Sequence, residues 1–161
     1  MSVGVGDRAP QFTLPGTAPG SGPDGGTVRD YALSEFAGKP IVIAFYPGDD
    51  TSVCTKQLND YNDGMEAFNG LDAQILGISS QDVESHERFS SKYGFKFPLL
   101  ADTDKAVARE YGTLGPIGFP RRSVFIIDAD GIIRYAHRAI AGLTYRPISE
   151  LVGILEALAT R

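Results

Sequence analysis

The sequence predicts an α/β domain with a mixed sheet between helices, and three observations carry that expectation. Two short apolar runs, "PIVIAFYP" at 40–47 and "AQILGIS" at 73–79, have the length and β-branched content of strands buried on both faces. Between and after them, apolar residues recur three and four positions apart, the mark of amphipathic helices. The order strand, helix, strand, helix, strand pair, helix is the arrangement that packs helices on a mixed sheet. At 161 residues, the chain fits one domain, residues 1–161.

The elements follow in order. "APQFTLPG" (9–16) reads as an extended start, and the run "GTAPGSGPDGG" (16–26) as a surface loop. Gly20, Gly22 and Gly25 match a dinucleotide-binding spacing. No strand pattern feeds that run and no helix opens from it, so the match carries nothing. After the first central strand, Cys54, Leu58, Tyr61, Met65 and Phe68 step by four, three, four and three along one helical face. In "DVESHERFSSKYG" (82–94), Asp82 is a candidate N-cap and Gly94 a stop, with Val83, His86, Phe89, Ser90 and Tyr93 on one side. A strand in "FPLLAD" and a short helix in "TDKAVAREYG" come next. "RSVFIIDADGIIRYAHR" (122–138) reads as two strands turning at Asp128 to Gly131. The last helix carries Ile148, Leu151, Val152, Leu155 and Leu158 on one stripe, with Pro147 suited to its first turn.

Composition excludes several classes of partner. The net charge of −5 and dispersed acidic residues are the opposite of the clustered Lys and Arg that a nucleic-acid or anionic-membrane surface needs. No run approaches the ~20 apolar residues of a membrane span. "MSVGVGDRAPQF" has neither the basic flank nor the apolar core of a secretory signal, and the expectation is a soluble cytoplasmic domain. One cysteine and two histidines make a structural metal site improbable, and no cofactor is expected. His86 and His137, on different elements, read as structural or surface residues. Asp49 and Asp50, just before a helix, read as complements to its dipole.

The single cysteine admits two readings. Cys54 shares a face with Leu58 and Tyr61, as a small core residue does. It also lies in the first turn of its helix, where unpaired N–H groups and the dipole favour an anion, a common setting for a reactive thiolate. Thr51 stands one turn earlier, and Pro47 rigidifies the loop that delivers both.

Pro47, Thr51 and Cys54 reproduce Pro-x-x-x-Thr-x-x-Cys, the peroxiredoxin signature, and "FYPGDDTSVCTKQL" resembles the bacterioferritin-comigratory-protein, or Q-type, branch. "RSVFIID" (122–128) resembles the family's Arg-x-x-Phe-x-Ile-Asp strand, and "GDRAPQFTLPG" and "FAGKP" also match, so the likeness covers nearly the whole chain. The resemblance implies a thioredoxin-like fold, a thiol peroxidase, and active-site roles for Pro47, Thr51, Cys54 and Arg122. It implies a monomer or a homodimer. One departure matters: where many members of the branch carry a resolving Cys, five residues after the first, this chain has Asn59. A one-cysteine variant needs an outside thiol as reductant, whether thioredoxin, a glutaredoxin-type protein or a small thiol.

The chemistry sets a task for each residue. Moving a thiol from about 8.5 to about 6 raises its thiolate fraction at pH 7 about thirtyfold. The accompanying loss of nucleophilicity returns about tenfold of that. Most of a large acceleration therefore comes from donors aimed at the peroxide oxygens as the O–O bond breaks. Arg122 offers a fork of N–H donors, Thr51 a hydroxyl, and Val53 and Cys54 backbone N–H groups, while Pro47 limits water access. Family spacing and strand alternation favour Arg122 over Arg121, which reads as a solvated charge. Two alternatives stay open: a peroxide sensor or thioredoxin-like binding module without efficient turnover, and a structural domain with a buried, inert Cys54. A thioredoxin-type oxidoreductase is disfavoured because "CTKQ" lacks the second Cys.

Overall fold

The computed structural model describes residues 3–18, 28–49, 51–115, 118, 120–139 and 145–159. The chain runs through β1 (Thr13–Thr17), β2 (Val28–Ala32), a 3-10 turn (Leu33–Phe36), β3 (Ile41–Phe45), α1 (Ser52–Asp63) and α2 (Met65–Gly70). It continues through β4 (Gln74–Ser79), α3 (Val83–Tyr93), β5 (Leu99–Ala101), α4 (Ala106–Glu110), β6 (Ser123–Ile127), β7 (Ile133–Arg138) and α5 (Ile148–Ala159). The strands form one mixed sheet in the order β2-β1-β5-β4-β3-β6-β7. β3 pairs parallel with β4 and antiparallel with β6, which makes it the centre of the half that carries the site.

Every side chain of β3 is buried. Val42 and Ala44, with Tyr46 beyond the strand, enter one apolar layer with Cys54, Leu58, Tyr61, Phe89, Leu151 and Leu155. Ile41, Ile43 and Phe45 enter the other, with Tyr31, Tyr111 and Phe125. That is why the run reads as continuously apolar and not alternating: both faces of the sheet are covered.

The helix ends follow local chemistry. Asp82 accepts from the Ser85 N–H at 2.9 Å, and Gly94 closes α3 in the left-handed region at φ 66. The turn at Asp128 holds as expected, with the Asp128 carboxylate accepting from the N–H groups of Asp130 and Ile132. On α5, Leu151 and Leu155 are fully buried, while Ile148, Val152 and Leu158 pack at the edge of the layer. Pro147 sits just before the helix and lends its carbonyl to the Glu150 N–H at 3.1 Å.

Two differences from the sequence reading have clear causes. The single helical face from Cys54 to Phe68 is divided between α1 and α2, with Gly64 as the joint. Glycine is a weak helix former, and here it also makes room: a Cβ at Gly64 would come within 3.0 Å of Ile148 Cδ1. β2 carried no clear pattern because only Tyr31 among its five residues is fully buried. The Gly/Pro-rich loop expected at 16–26 lies mostly outside the described residues.

Gly16 lies at the crossing of β1 and β5, where a Cβ would meet Leu100 Cδ2 at 2.4 Å and the Leu99 carbonyl oxygen at 2.9 Å. The backbone oxygen cannot swing aside, so Gly16→Ala should destabilise by about 1–3 kcal/mol. Gly70→Ala, with nothing within 4 Å, should be neutral or slightly stabilising. Urea denaturation of the two variants checks the contrast, and equal midpoints would contradict the close approach.

Candidate active site

β3 ends at Phe45, and the chain passes through Pro47 and Gly48 to Thr51, which stands at the N-cap position of α1. The first intrahelical bond runs from the Thr55 N–H to the Thr51 carbonyl at 2.8 Å. The N–H groups of Val53 and Cys54 therefore have no carbonyl four residues back within the helix. Thr51 is exposed and its hydroxyl does not cap the helix; Oγ1 donates to the Gly48 carbonyl at 3.0 Å. With its hydrogen so placed, the oxygen keeps its lone pairs to accept a hydrogen bond from a bound ligand. Val53 and Pro47 are half-buried.

Cys54 is 0% exposed, so burial alone would fit an inert core residue. The sulfur also has a charged neighbour. Arg122 comes from the residue just before β6, is 3% exposed, and donates from Nη2 to Cys54 Sγ at 3.1 Å. Its Nη1 donates to Gln57 Oε1 at 2.6 Å, and Gln57 Nε2 donates to the Tyr61 hydroxyl at 3.0 Å. Gln57 stands one helical turn after Cys54, so α1 places both ends of the guanidinium fork. Burial holds the Tyr61 hydroxyl well above the usual phenol range, which keeps it neutral beside the guanidinium. The sequence reading missed Gln57, and it took Tyr61 for a plain apolar member of the stripe. A glutamine on an apolar helical face was the available signal.

A sequence profile of the AhpC/TSA family matches residues 5–136. The chain belongs to that family. Its relatives include peroxiredoxin Q from rice (Oryza sativa subsp. japonica), 35% identical over 97% of this chain and 68% of the relative. Peroxiredoxin Q from wheat (Triticum aestivum) is 36% identical over 84% of this chain, which spans 59% of the wheat protein's length. Among solved structures, AhpC of Mycobacterium tuberculosis superposes with a TM-score of 0.89 at 26% identity, over 98% of this chain and 94% of the other. The thioredoxin-like fold of the peroxiredoxins is therefore the fold of this chain.

Other expectations about this peroxiredoxin need correction. Arg121 is no solvated charge. It is half-buried on the opposite sheet face from Arg122, its Nη2 reaches the Gly112 carbonyl at 3.5 Å, and its Nε is buried without a hydrogen-bond partner. Asp49 does not serve the α1 dipole. Its carboxylate accepts from Tyr46 Oη at 2.6 Å and Ser85 Oγ at 2.7 Å, and lies 2.7 Å from His86 Nδ1. His86 is wholly buried, in keeping with a structural residue, and this carboxylate partner is distant in sequence. Asp50 lies outside the described residues. Asn59 is half-buried on α1 and donates to the Thr55 carbonyl at 2.9 Å.

Arg122→Lys keeps a charge but loses the fork, and should lower the second-order rate with peroxide by about a hundredfold or more, the scale of losing one transition-state donor. Arg121→Lys should leave that rate within about threefold, since Arg121 lies across the sheet from the sulfur. Stopped-flow rates for both variants test the face assignment, and equal losses would refute it. At Thr51, serine should retain most of the rate and valine should lose most of it. Equal rates for the two would remove the hydroxyl from the reaction.

Proposed function

We propose that this chain is a thiol-dependent peroxidase that reduces hydrogen peroxide or organic hydroperoxides through a Cys54 sulfenic acid. The observation that carries this reading is the buried guanidinium of Arg122 on the Cys54 sulfur. A guanidinium N–H aimed at the sulfur at 3.1 Å is placed to stabilise a thiolate and the charge that moves onto the peroxide oxygens as the O–O bond breaks.

The steps follow from the positions. Peroxide enters at the exposed side, beside Thr51, whose hydroxyl oxygen accepts a hydrogen bond from the peroxide O–H. The Cys54 thiolate attacks the near oxygen, which keeps its hydrogen, the O–O bond breaks, and the far oxygen leaves as hydroxide or alkoxide and takes a proton from solvent to become water or an alcohol. Cys54 becomes Cys–SOH, oxidised by two electrons. Arg122 and the N–H groups of Val53 and Cys54 stabilise the charge as it passes between the oxygens. Pro47 shields the sulfur from bulk water.

Reduction needs a partner, because Cys54 is the only cysteine in the chain. An external thiol condenses with the sulfenic acid, releasing water and leaving a mixed disulfide. A second thiolate then frees Cys54 and carries away the disulfide. Thioredoxin, a glutaredoxin-type protein or a small thiol can supply both equivalents. Small local motions admit a molecule the size of peroxide to a sulfur with 0% exposure, whereas a bulkier thiol needs the start of α1 to open for this half of the cycle.

Peroxide consumption with dithiothreitol as reductant tests the function, with Cys54→Ser as control. Turnover by the wild-type protein and none by the variant is expected. One equivalent of peroxide should add about 16 Da at Cys54, and excess should add a second oxygen. A single oxidation without turnover would make the protein a peroxide sensor, and an unreactive Cys54 would make it a structural domain. Residual activity in Cys54→Ser would move the chemistry away from this residue.

A further inference from the structure

The Asp49 side chain fastens the segment that carries the site to α3. Asp49 takes hydrogen bonds from Tyr46 and Ser85 and meets His86 Nδ1, and its own N–H donates to Gln81 Oε1 at 3.0 Å. His86 is 0% exposed, and its Nε2 faces the Leu100 carbonyl at 3.0 Å. A carbonyl only accepts, so Nε2 carries a proton. One further proton then lies between His86 Nδ1 and Asp49 Oδ2, whichever atom holds it. Buried paired groups of this kind are costly to part-satisfy and costly to separate.

We propose that Asp49 and His86 are positioning residues for the peroxidase reaction: their buried pair holds the active-site loop and the first turn of α1 closed against α3. This rests on the peroxidase reading above. The two halves of that cycle make opposite demands on one loop. Attack on peroxide needs Thr51, Cys54 and Arg122 held in place, and a misplacement of about 1 Å can cost about a hundredfold. Reduction needs the same segment to open wider, because a thiol is bulkier than peroxide and the sulfur is wholly buried. A fastening between loop and α3 therefore accelerates the first half and retards the second.

Two replacements of the same residue separate this role from simple core filling. In His86→Asn the amide nitrogen stands near Nδ1 and can still donate to Asp49. In His86→Gln it stands near Nε2, which keeps the Leu100 bond and loses the loop. Single-turnover oxidation of Cys54 by hydrogen peroxide, reduction of the sulfenic acid by 2-mercaptoethanol, and alkylation of reduced Cys54 by iodoacetamide are measured on both variants. The expected result for His86→Gln is oxidation slowed about tenfold or more, with reduction and alkylation faster than wild type. His86→Asn should stay near wild type in all three, and Asp49→Ala, altered on the loop side of the pair, should repeat the His86→Gln pattern if that variant does not fold. Equal behaviour of the Asn and Gln variants, or a parallel slowing of oxidation and reduction, would overturn the proposal. A wild-type protein that consumes no peroxide would instead refute the peroxidase reading, and the alkylation rates would still test the fastening.

Discussion

A guanidinium held against a sulfur inside the protein is the constraint that organises the rest. Arg122 is almost wholly enclosed, and enclosing a cation is tolerable only where donors and charge are matched. Gln57 accepts one of its N–H groups and is itself fixed by Tyr61, and the sulfur accepts another. The strand before which Arg122 stands, the helix that bears Cys54 and Gln57, and the layer behind Tyr61 are tied together by that requirement. Leaving a buried donor unsatisfied by removing its partner costs about 1–3 kcal/mol, so the site and the fold are coupled in stability.

The parts of this arrangement that were legible in sequence are those set by local periodicity. The continuous apolar run of β3, the Asp82 cap and Gly94 stop of α3, and the stripe on α5 each depend on neighbours within a few residues. Strand alternation even separated Arg122 from Arg121, because adjacent residues on a strand point to opposite faces. What could not be read was pairing between distant segments. Asp49 and His86 are 37 positions apart, and neither has a telling neighbour. Gln57 drew no notice because its partner lies 65 residues away. Half-burial of Arg121 was invisible for the same reason, since it depends on what the sheet packs against.

The β3–α1 loop shows how much a short segment can carry. Pro47, Gly48, Asp49 and Thr51 serve at once as strand exit, fastening and helix start. The Thr51 hydroxyl leaves the helix end uncapped and bonds Gly48 instead. A cap of this kind contributes about 1 kcal/mol when used, and forgoing it leaves the oxygen available to a ligand. The helix start is thus less tightly bound than its sequence allows, in the one place where a reactive sulfur needs both order and release.

The central strand has a further consequence. Val42, Ala44 and Tyr46 face the layer of the sulfur, while Ile43, Phe45 and Phe125 face the other. Packed layers stand about 10 Å from a sheet on either side, and side chains more than 7–10 Å apart without shared partners act nearly independently. The sheet is thus an insulator: a lineage can redraw the far layer, and whatever surface rests on it, while the chemistry on the near side goes on unchanged.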